Sequence, residues 1–103
     1  ERSLFPVGAR GEGDLYEHEV TNKIPIMFAL STCPRCQRMK RFLRERGIEA
    51  VVVDVDLLER EDKRRQLEFV SQVNPRVSFP TLVVGDLAVV GEDYDAAKEA
   101  LEL

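Results

Sequence analysis

The chain has 103 residues, 44% of them hydrophobic and 33% charged, and its 15 basic and 19 acidic residues give a formal net charge of −4. This size and composition fit one globular domain with its own core. The negative charge does not favour non-specific nucleic-acid binding, and no apolar run reaches the ~18 residues of a membrane span. We therefore expect no nucleic-acid and no membrane partner. Since the N-terminal residues also lack the apolar segment of a signal peptide, we expect a cytoplasmic protein.

Residues 1–23 contain three glycines, one proline and no clear hydrophobic period. We predict that they form a loosely ordered N-terminal leader, followed by one domain over residues 24–103. Inside the leader, the sequence LYEHEV alternates apolar and polar residues, which favours a short strand over residues 15–20.

The domain begins with a strand and a helix. The continuous apolar run IPIMFAL, residues 24–30, is typical of a strand buried on both faces. The sequence PRCQRMKRFLRER, residues 34–46, has apolar residues at helical spacing and ends before Gly47. The β-branched run IEAVVVDV, residues 48–55, predicts the second strand.

The second half predicts a helix, a hairpin and a last helix. Residues 57–74 have helical spacing and stop before Pro75. In FPTLVVGDLAVVG, two apolar runs flank Gly85-Asp86, which predicts a hairpin, and residues 92–103 predict a short amphipathic helix. The order β-α-β-α-β-β-α predicts an α/β fold. It has a mixed four-stranded sheet flanked by three helices, with the first two strands parallel.

Three segments carry a resemblance to a known family. CPRC, directly after a buried strand and opening a helix, resembles the thioredoxin superfamily, and CPRCQRMK is similar to the glutaredoxin pattern Cys-Pro-x-Cys-x-x-x-Lys. SFPTLVVGD resembles the family's Thr-Val-Pro segment, and VVGEDYDAAKEAL resembles the Gly-x-Asp segment at its last helix. The resemblance extends over residues 24–101 and is strongest to small bacterial or archaeal glutaredoxin-like proteins. It implies a thioredoxin-like fold and a dithiol–disulfide oxidoreductase for protein disulfides or glutathione mixed disulfides.

The two cysteines of the chain, Cys33 and Cys36, are the predicted catalytic pair. A helix N-terminus presents free N–H groups and a partial positive charge, Pro34 suits the first helical position, and Arg35 adds a positive charge. These features favour an ionised Cys33, because only the thiolate attacks a disulfide. Cys36 lies one turn deeper and should be the more buried thiol. We therefore predict that Cys33 is the nucleophile and Cys36 the resolving thiol. The alternative is that both are ordinary buried hydrophobic residues.

The resemblance also implies a substrate-binding loop. Pro80 would be cis and would turn the chain beside Cys33, and the backbone of Phe79 would pair with the substrate as an added strand does. Ser78, in the same segment, is included in this predicted site. From the sequence alone, a trans proline at the start of a strand is the commoner arrangement.

Glutathione binding is the second implication of the resemblance. Asp93 matches the acid that binds the amino end of glutathione in glutaredoxins, although an acid there is also favoured as a helix N-cap. Many glutathione-using members carry a lysine three residues before the first cysteine, where this chain has Leu30. Arg35, Lys40 or Arg76 could bind the carboxylate instead. We therefore expect no tightly bound cofactor and two candidate electron donors, glutathione and a thioredoxin reductase.

An iron–sulfur or other metal-binding module is the alternative function. Two chains could pool four thiolates around a cluster. Within one chain, the single histidine, His18, lies in the leader and cannot complete a four-ligand zinc site with two cysteines. We therefore predict no metal site inside one chain, and we expect a monomer.

Overall fold

The computed structural model describes residues 4–6 and 24–103. The strand predicted over residues 15–20 lies outside the described residues. The described part contains five strands, three α-helices and one 3-10 turn. In chain order these are β1 Leu4–Pro6, β2 Ile26–Ala29, α1 Pro34–Glu45, β3 Val51–Asp54, the 3-10 turn Val55–Leu57, α2 Arg60–Val73, β4 Thr81–Val84, β5 Leu87–Val90 and α3 Tyr94–Leu101.

The strands form one mixed sheet in the order β1-β5-β4-β2-β3. Strands β2 and β3 are parallel, whereas β4 is antiparallel to both β2 and β5. This confirms the predicted four-stranded sheet. Strand β1 adds a fifth strand, antiparallel to β5, at the opposite edge from β3. Its three residues fall in the predicted leader, and they are too few to show the alternation from which a strand is inferred.

Helices cover both faces of the sheet. Phe28 of β2 contacts Phe69 of α2, with ring centroids 5.4 Å apart. Phe28 pairs in register with Val53, so the next side chain on β3, Asp54, points to the other face. There it meets Lys40 of α1. The fold is therefore a sheet between two helical layers, as in the predicted thioredoxin-like fold.

The core lies between these layers. Strand β4 is buried at every position, and the fully enclosed core side chains include Met27, Met39 and Leu82. Burying each side chain of this size stabilises the fold by about 1.5–3 kcal/mol relative to its exposure. On the α1 side, Phe42 packs against Tyr94 of α3 with ring centroids 4.9 Å apart, and the guanidinium of Arg46 lies 4.2 Å from the centroid of the Phe42 ring.

All three helices are slightly shorter than predicted, and α3 spans Tyr94–Leu101 within the predicted residues 92–103. The second predicted helix, 57–74, begins only at Arg60, because Val55–Leu57 forms a 3-10 turn whose Val55 side chain is buried. Helix α1 ends at Glu45, and Gly47 follows with a φ of +72°, a conformation that glycine adopts without strain. No helix in residues 24–103 has the length and apolar character needed to cross a lipid bilayer.

Candidate active site

Four connections meet at one end of the sheet. Strands β2 and β3 are parallel, so both end there. Strand β4 is antiparallel to β2 and begins there, and β5 is antiparallel to β4 and ends there. The segments brought together are residues 30–33, 55–57, 74–80 and 91–93. We call this the active-site end, because three of these segments hold the cysteine motif and the two other segments named by the resemblance.

Cys33 is the N-cap residue of α1. Its backbone is extended, with φ −86° and ψ 120°, and Pro34 occupies the start of the helix. The Cys33 Sγ accepts a hydrogen bond from the backbone N–H of Cys36 at 3.4 Å. Both thiols are free, Cys33 is partly exposed, and Cys36 is 0% exposed. A substrate can therefore reach Cys33 from solvent, whereas Cys36 is accessible only from within the motif.

The surroundings of Cys33 stabilise its thiolate. Partial burial raises the pKa of Cys33, but hydrogen bonds from the thiol and amide of Cys36 and from the amide and guanidinium of Arg35 together outweigh it. The pKa of Cys33 therefore lies below that of an ordinary cysteine. This increases the fraction of thiolate at neutral pH, and the thiolate is the form that attacks disulfides.

Cys36 has the opposite environment. Burial raises the pKa of the Cys36 thiol to about 11, and the nearby Cys33 also raises it. A hydrogen bond from the backbone of Leu30 and the positive charge of Lys40 act in the other direction but are too weak to reverse the shift. The motif thus holds one acidic, accessible thiol and one buried thiol that keeps its proton at neutral pH.

The turn before Cys33 is held by two other elements. The backbone N–H of Ser31 donates to Asp56 Oδ1 at 2.8 Å, and the Ser31 hydroxyl donates to Asp56 Oδ2 at 2.6 Å. Gln37 Nε2 of α1 donates to the Ser31 carbonyl at 2.8 Å, and the Cys33 N–H donates to the Leu30 carbonyl at 3.1 Å. The Ser31 hydrogen bonds hold the pKa of Asp56 below its usual value. Sequence reasoning did not identify Ser31, Gln37 or Asp56.

The predicted substrate loop lies next to Arg35. The Phe79–Pro80 peptide bond is cis. Arg35 Nη2 donates to the Phe79 carbonyl at 3.3 Å, and the Gly91 N–H donates to the Pro80 carbonyl at 2.8 Å. Arg35 therefore contacts both the predicted nucleophile and the loop that the resemblance assigns to the substrate.

A buried asparagine shapes the same loop. Asn74, 1% exposed, follows α2, and its Nδ2 donates to the Ser78 carbonyl at 3.0 Å, the Ser78 hydroxyl at 3.1 Å and the Thr81 hydroxyl at 3.0 Å. Asn74 Oδ1 accepts from the backbone N–H of Arg76 at 3.2 Å. The sequence assigned Asn74 only to the end of a helix, because a side chain that bridges residues up to seven positions away leaves no local pattern. Ser78, a predicted site residue, is thus part of the scaffold of the loop.

The loop before α3 contains two adjacent acidic residues, Glu92 and Asp93. Asp93 is the N-cap of α3 and accepts a hydrogen bond from the Ala96 N–H at 3.0 Å. Glu92 forms a two-pronged ion pair with Arg38 of α1, at 2.7 and 3.0 Å, and also accepts from the Tyr94 hydroxyl. The hydrogen bonds from Arg38 and Tyr94 lower the pKa of Glu92 to about 2. Arg38 and Glu92 thereby connect the cysteine-bearing helix to this loop.

Lys40, also predicted to bind substrate, lies on the other side of β2 from this loop. Its Nζ is 3.1 Å from Asp54 Oδ1 on the edge strand β3, and both side chains are mostly buried. Phe79 and Pro80, in contrast, precede β4. Residues 4–6 and 24–103 contain no group of three or more histidine, cysteine, aspartate or glutamate side chains placed to hold a metal ion.

Comparison with known proteins gives a consistent result. The family model described as glutaredoxin matches residues 26–89. The chain is 41% identical to methanoredoxin of Methanosarcina acetivorans, with a TM-score of 0.73, covering 77% of this chain and 84% of that chain. It is 37% identical to the glutaredoxin of Methanosarcina mazei Go1, with a TM-score of 0.74, covering 78% of this chain and 79% of that chain.

A third archaeal structure covers more of the chain. The glutaredoxin of Archaeoglobus fulgidus is 32% identical, with a TM-score of 0.75, covering 90% of this chain and 99% of that chain. No curated protein matches the sequence. Since the family model spans more than half of the chain and the fold agrees with these archaeal structures, this chain belongs to the glutaredoxin family of thiol–disulfide oxidoreductases, in the thioredoxin superfamily.

Proposed function

We propose that the CPRC motif carries out a dithiol exchange that reduces protein disulfides or glutathione mixed disulfides, with Cys33 as nucleophile and Cys36 as resolving thiol. The observation that carries the proposal is the difference between the two thiols. Cys33 is partly exposed with a lowered pKa, whereas Cys36 is buried with a pKa raised to about 11. The accessible Cys33 thiolate attacks first, and Cys36 stays protonated during this step.

In the first step, the Cys33 thiolate attacks one sulfur of the substrate disulfide. A bond forms between Cys33 and that sulfur, the substrate S–S bond breaks, and the other half leaves as a thiolate that takes a proton from water. In the second step, Cys36 loses its proton to water and attacks Cys33 Sγ. The mixed disulfide breaks, the remaining substrate thiolate leaves, and two electrons have passed from the motif to the substrate.

The charge of Cys33 contributes to the order of these steps. While Cys33 is a thiolate, burial and, as a smaller cause, the neighbouring Cys33 raise the pKa of Cys36 and keep that thiol protonated. Once Cys33 is bonded to the substrate, its negative charge is gone and the effect of that charge on Cys36 disappears. The pKa of Cys36 then falls, with Lys40 still favouring the thiolate. Cys36 thus becomes a better nucleophile only after the mixed disulfide has formed.

The substrate lies between Cys33 and the loop containing Ser78, Phe79 and Pro80. Arg35, whose guanidinium donates to the Phe79 carbonyl, binds a carboxylate or a backbone carbonyl of the substrate with its remaining N–H groups. Asp93, in the segment between β5 and α3 at the same end of the sheet, binds a substrate amino group. Lys40 acts on Cys36 instead of contacting the substrate.

Glutathione is the proposed reductant of the Cys33–Cys36 disulfide, and a thioredoxin reductase is the competing donor. Two thiol groups supply the two electrons and leave as one disulfide, so no bound cofactor is required. We propose that the chain works as a monomer in the cytoplasm, where thiols are kept reduced.

A coupled assay in two formats tests the proposal. One format supplies glutathione, glutathione reductase and a glutathione mixed disulfide, and the other supplies a thioredoxin reductase and insulin. Wild type should turn over in at least one format, and Cys33→Ser should be inactive in both. Cys36→Ser should accumulate a mixed disulfide, visible by mass spectrometry, that only an external thiol resolves. A Cys33→Ser protein that retains turnover would refute the assignment of the nucleophile.

A further inference from the structure

The turn that carries Cys33 is connected to the edge of the sheet by a side chain far away in sequence. Asp56 follows β3, and both of its carboxylate oxygens are bonded to one residue, Ser31, 25 positions earlier. Strands β2 and β3 are parallel neighbours, so the residues that follow them lie side by side at the active-site end. Asp56 is therefore in reach of the turn without belonging to the CPRC motif.

Ser31 has a partner for each of its polar groups. Its N–H and hydroxyl donate to Asp56, and its carbonyl accepts from Gln37 Nε2. Two residues later, the Cys33 N–H closes the turn onto the Leu30 carbonyl at 3.1 Å. The turn is thus fixed at Ser31 by the 3-10 turn after β3 on one side and by α1 on the other. Ser31 is half-buried, and all of its polar groups have a partner within the protein.

The hydrogen bond between the Cys36 N–H and Cys33 Sγ depends on this turn, and its distance is long. Cys33 Sγ accepts from the Cys36 N–H at 3.4 Å, within the range for sulfur but sensitive to displacement of the turn. A shift of the backbone at residues 31–33 would move Sγ away from the Cys36 amide and from Arg35. The thiolate would then lose hydrogen bonds that stabilise it.

We propose that Asp56 is a positioning residue for the nucleophile: through Ser31 it holds the turn in which Cys33 Sγ meets the N-terminal amides of α1. This inference rests on the proposed role of Cys33. It concerns the reactivity of the Cys33 thiol, which is measurable without any turnover.

The test compares Asp56→Ala, Asp56→Asn and Ser31→Ala, with Asp86→Ala as the charge-matched control. Asp86 lies in the β4–β5 turn, at the opposite end of the sheet from Cys33. The pKa of Cys33 is followed by thiolate absorbance at 240 nm, and its reactivity by the rate of alkylation with iodoacetamide. Circular dichroism verifies that each variant is folded at the assay temperature.

A positioning role and a charge effect of Asp56 predict changes of opposite sign in the pKa of Cys33 when Asp56 is replaced by alanine. If Asp56 positions the turn, Asp56→Ala should raise the pKa of Cys33 by about half a unit and slow alkylation near neutral pH about threefold. Asp56→Asn should remain near wild type, because an amide can still accept from the Ser31 N–H. Ser31→Ala, which removes only the hydroxyl contact, should lie between the two.

Two results would overturn the inference. If Asp56 acted only through its negative charge, both Asp56→Ala and Asp56→Asn would lower the pKa of Cys33, because a nearby negative charge disfavours a thiolate. If Asp56 were merely structural, Asp56→Ala would lower the melting temperature and leave the alkylation rate equal to that of Asp86→Ala. Loss of turnover in wild type would refute the proposed function while leaving this comparison intact.

Discussion

Replacing Asn74 by alanine should destabilise the fold more than any exposed substitution on the preceding helix, α2. The side chain is 1% exposed, donates to three oxygens of the loop and accepts one backbone N–H. Its amide has two hydrogens, so two of the three donations are strong at one time. With the accepted bond, about three hydrogen bonds are lost.

The expected loss of stability depends on whether the groups that Asn74 contacts keep another hydrogen bond after the replacement. A neutral hydrogen bond contributes about 0.5–1.5 kcal/mol net, and a buried group left without a partner costs more. The Ser78 carbonyl keeps a hydrogen bond from the Thr81 hydroxyl at 2.8 Å, which limits the loss. We expect Asn74→Ala to lower the free energy of unfolding by about 2–3 kcal/mol. In a domain of this size, that lowers Tm by roughly 8–24 °C.

Urea denaturation of Asn74→Ala and of the control Gln72→Ala measures this difference. Gln72 is exposed near the end of α2, so its replacement should change the free energy of unfolding by less than about 0.5 kcal/mol. Asn74→Asp should be less stable still, because a carboxylate cannot donate to Ser78 or Thr81. Equal stabilities of Asn74→Ala and Gln72→Ala would refute the argument that this network holds the Phe79–Pro80 loop.

Three further outcomes follow from the pKa shifts. Thiolate absorbance against pH should show an early rise as Cys33 ionises, below the pH of an ordinary cysteine, and a second rise near pH 11 from Cys36; one rise at ordinary cysteine pH would contradict the asymmetry of the pair. Lys40→Met should raise the pKa of Cys36 further and slow closure of the disulfide in stopped-flow measurements, while the alkylation rate of Cys33 stays unchanged. The folded pKa of Glu92, about 2, lies below its unfolded value, so its contribution to stability is present above pH ~4.3 and is lost as pH falls towards 2. Acid titration of stability should therefore be shallower in Glu92→Gln, and an unchanged slope would contradict this ion pair.

Much of the site follows from local sequence. CPRC directly after an apolar run places Cys33 at a helix start, and the helix terminus itself supplies the donors that stabilise a thiolate. The convergence of this turn with Phe79, Pro80 and Asp93 follows from strand order, since an antiparallel hairpin brings the start of its first strand and the end of its second to the same end of the sheet. These relations depend on element boundaries, which the apolar runs and the Gly85-Asp86 turn mark well.

The residues that support the site leave no such pattern. Asp56 and Ser31 are 25 positions apart. Their contact depends on the lateral pairing of β2 with β3 and on the 3-10 turn Val55–Leu57, which the sequence prediction divides between the end of a strand and the start of a helix. The sequence offers Lys40 as a carboxylate ligand that could replace the lysine missing at position 30. Its partner Asp54, however, depends on which face of β3 points to α1. These contacts depend on which strands are neighbours and which strand face meets a helix, and the residues around each position do not specify that arrangement.

The connections that form the candidate site lie at one end of the sheet, and the β4–β5 turn lies at the other, which has a practical consequence for engineering this chain. The β4–β5 turn at Gly85 and Asp86 joins two strands at the end of the sheet away from Cys33, and Asp86 is exposed. Exposed hairpin tips are the sites at which inserted peptides are best tolerated. A fluorescent reporter or an affinity tag placed there would report on or immobilise the protein while leaving the approach of a disulfide to the cysteine pair unobstructed.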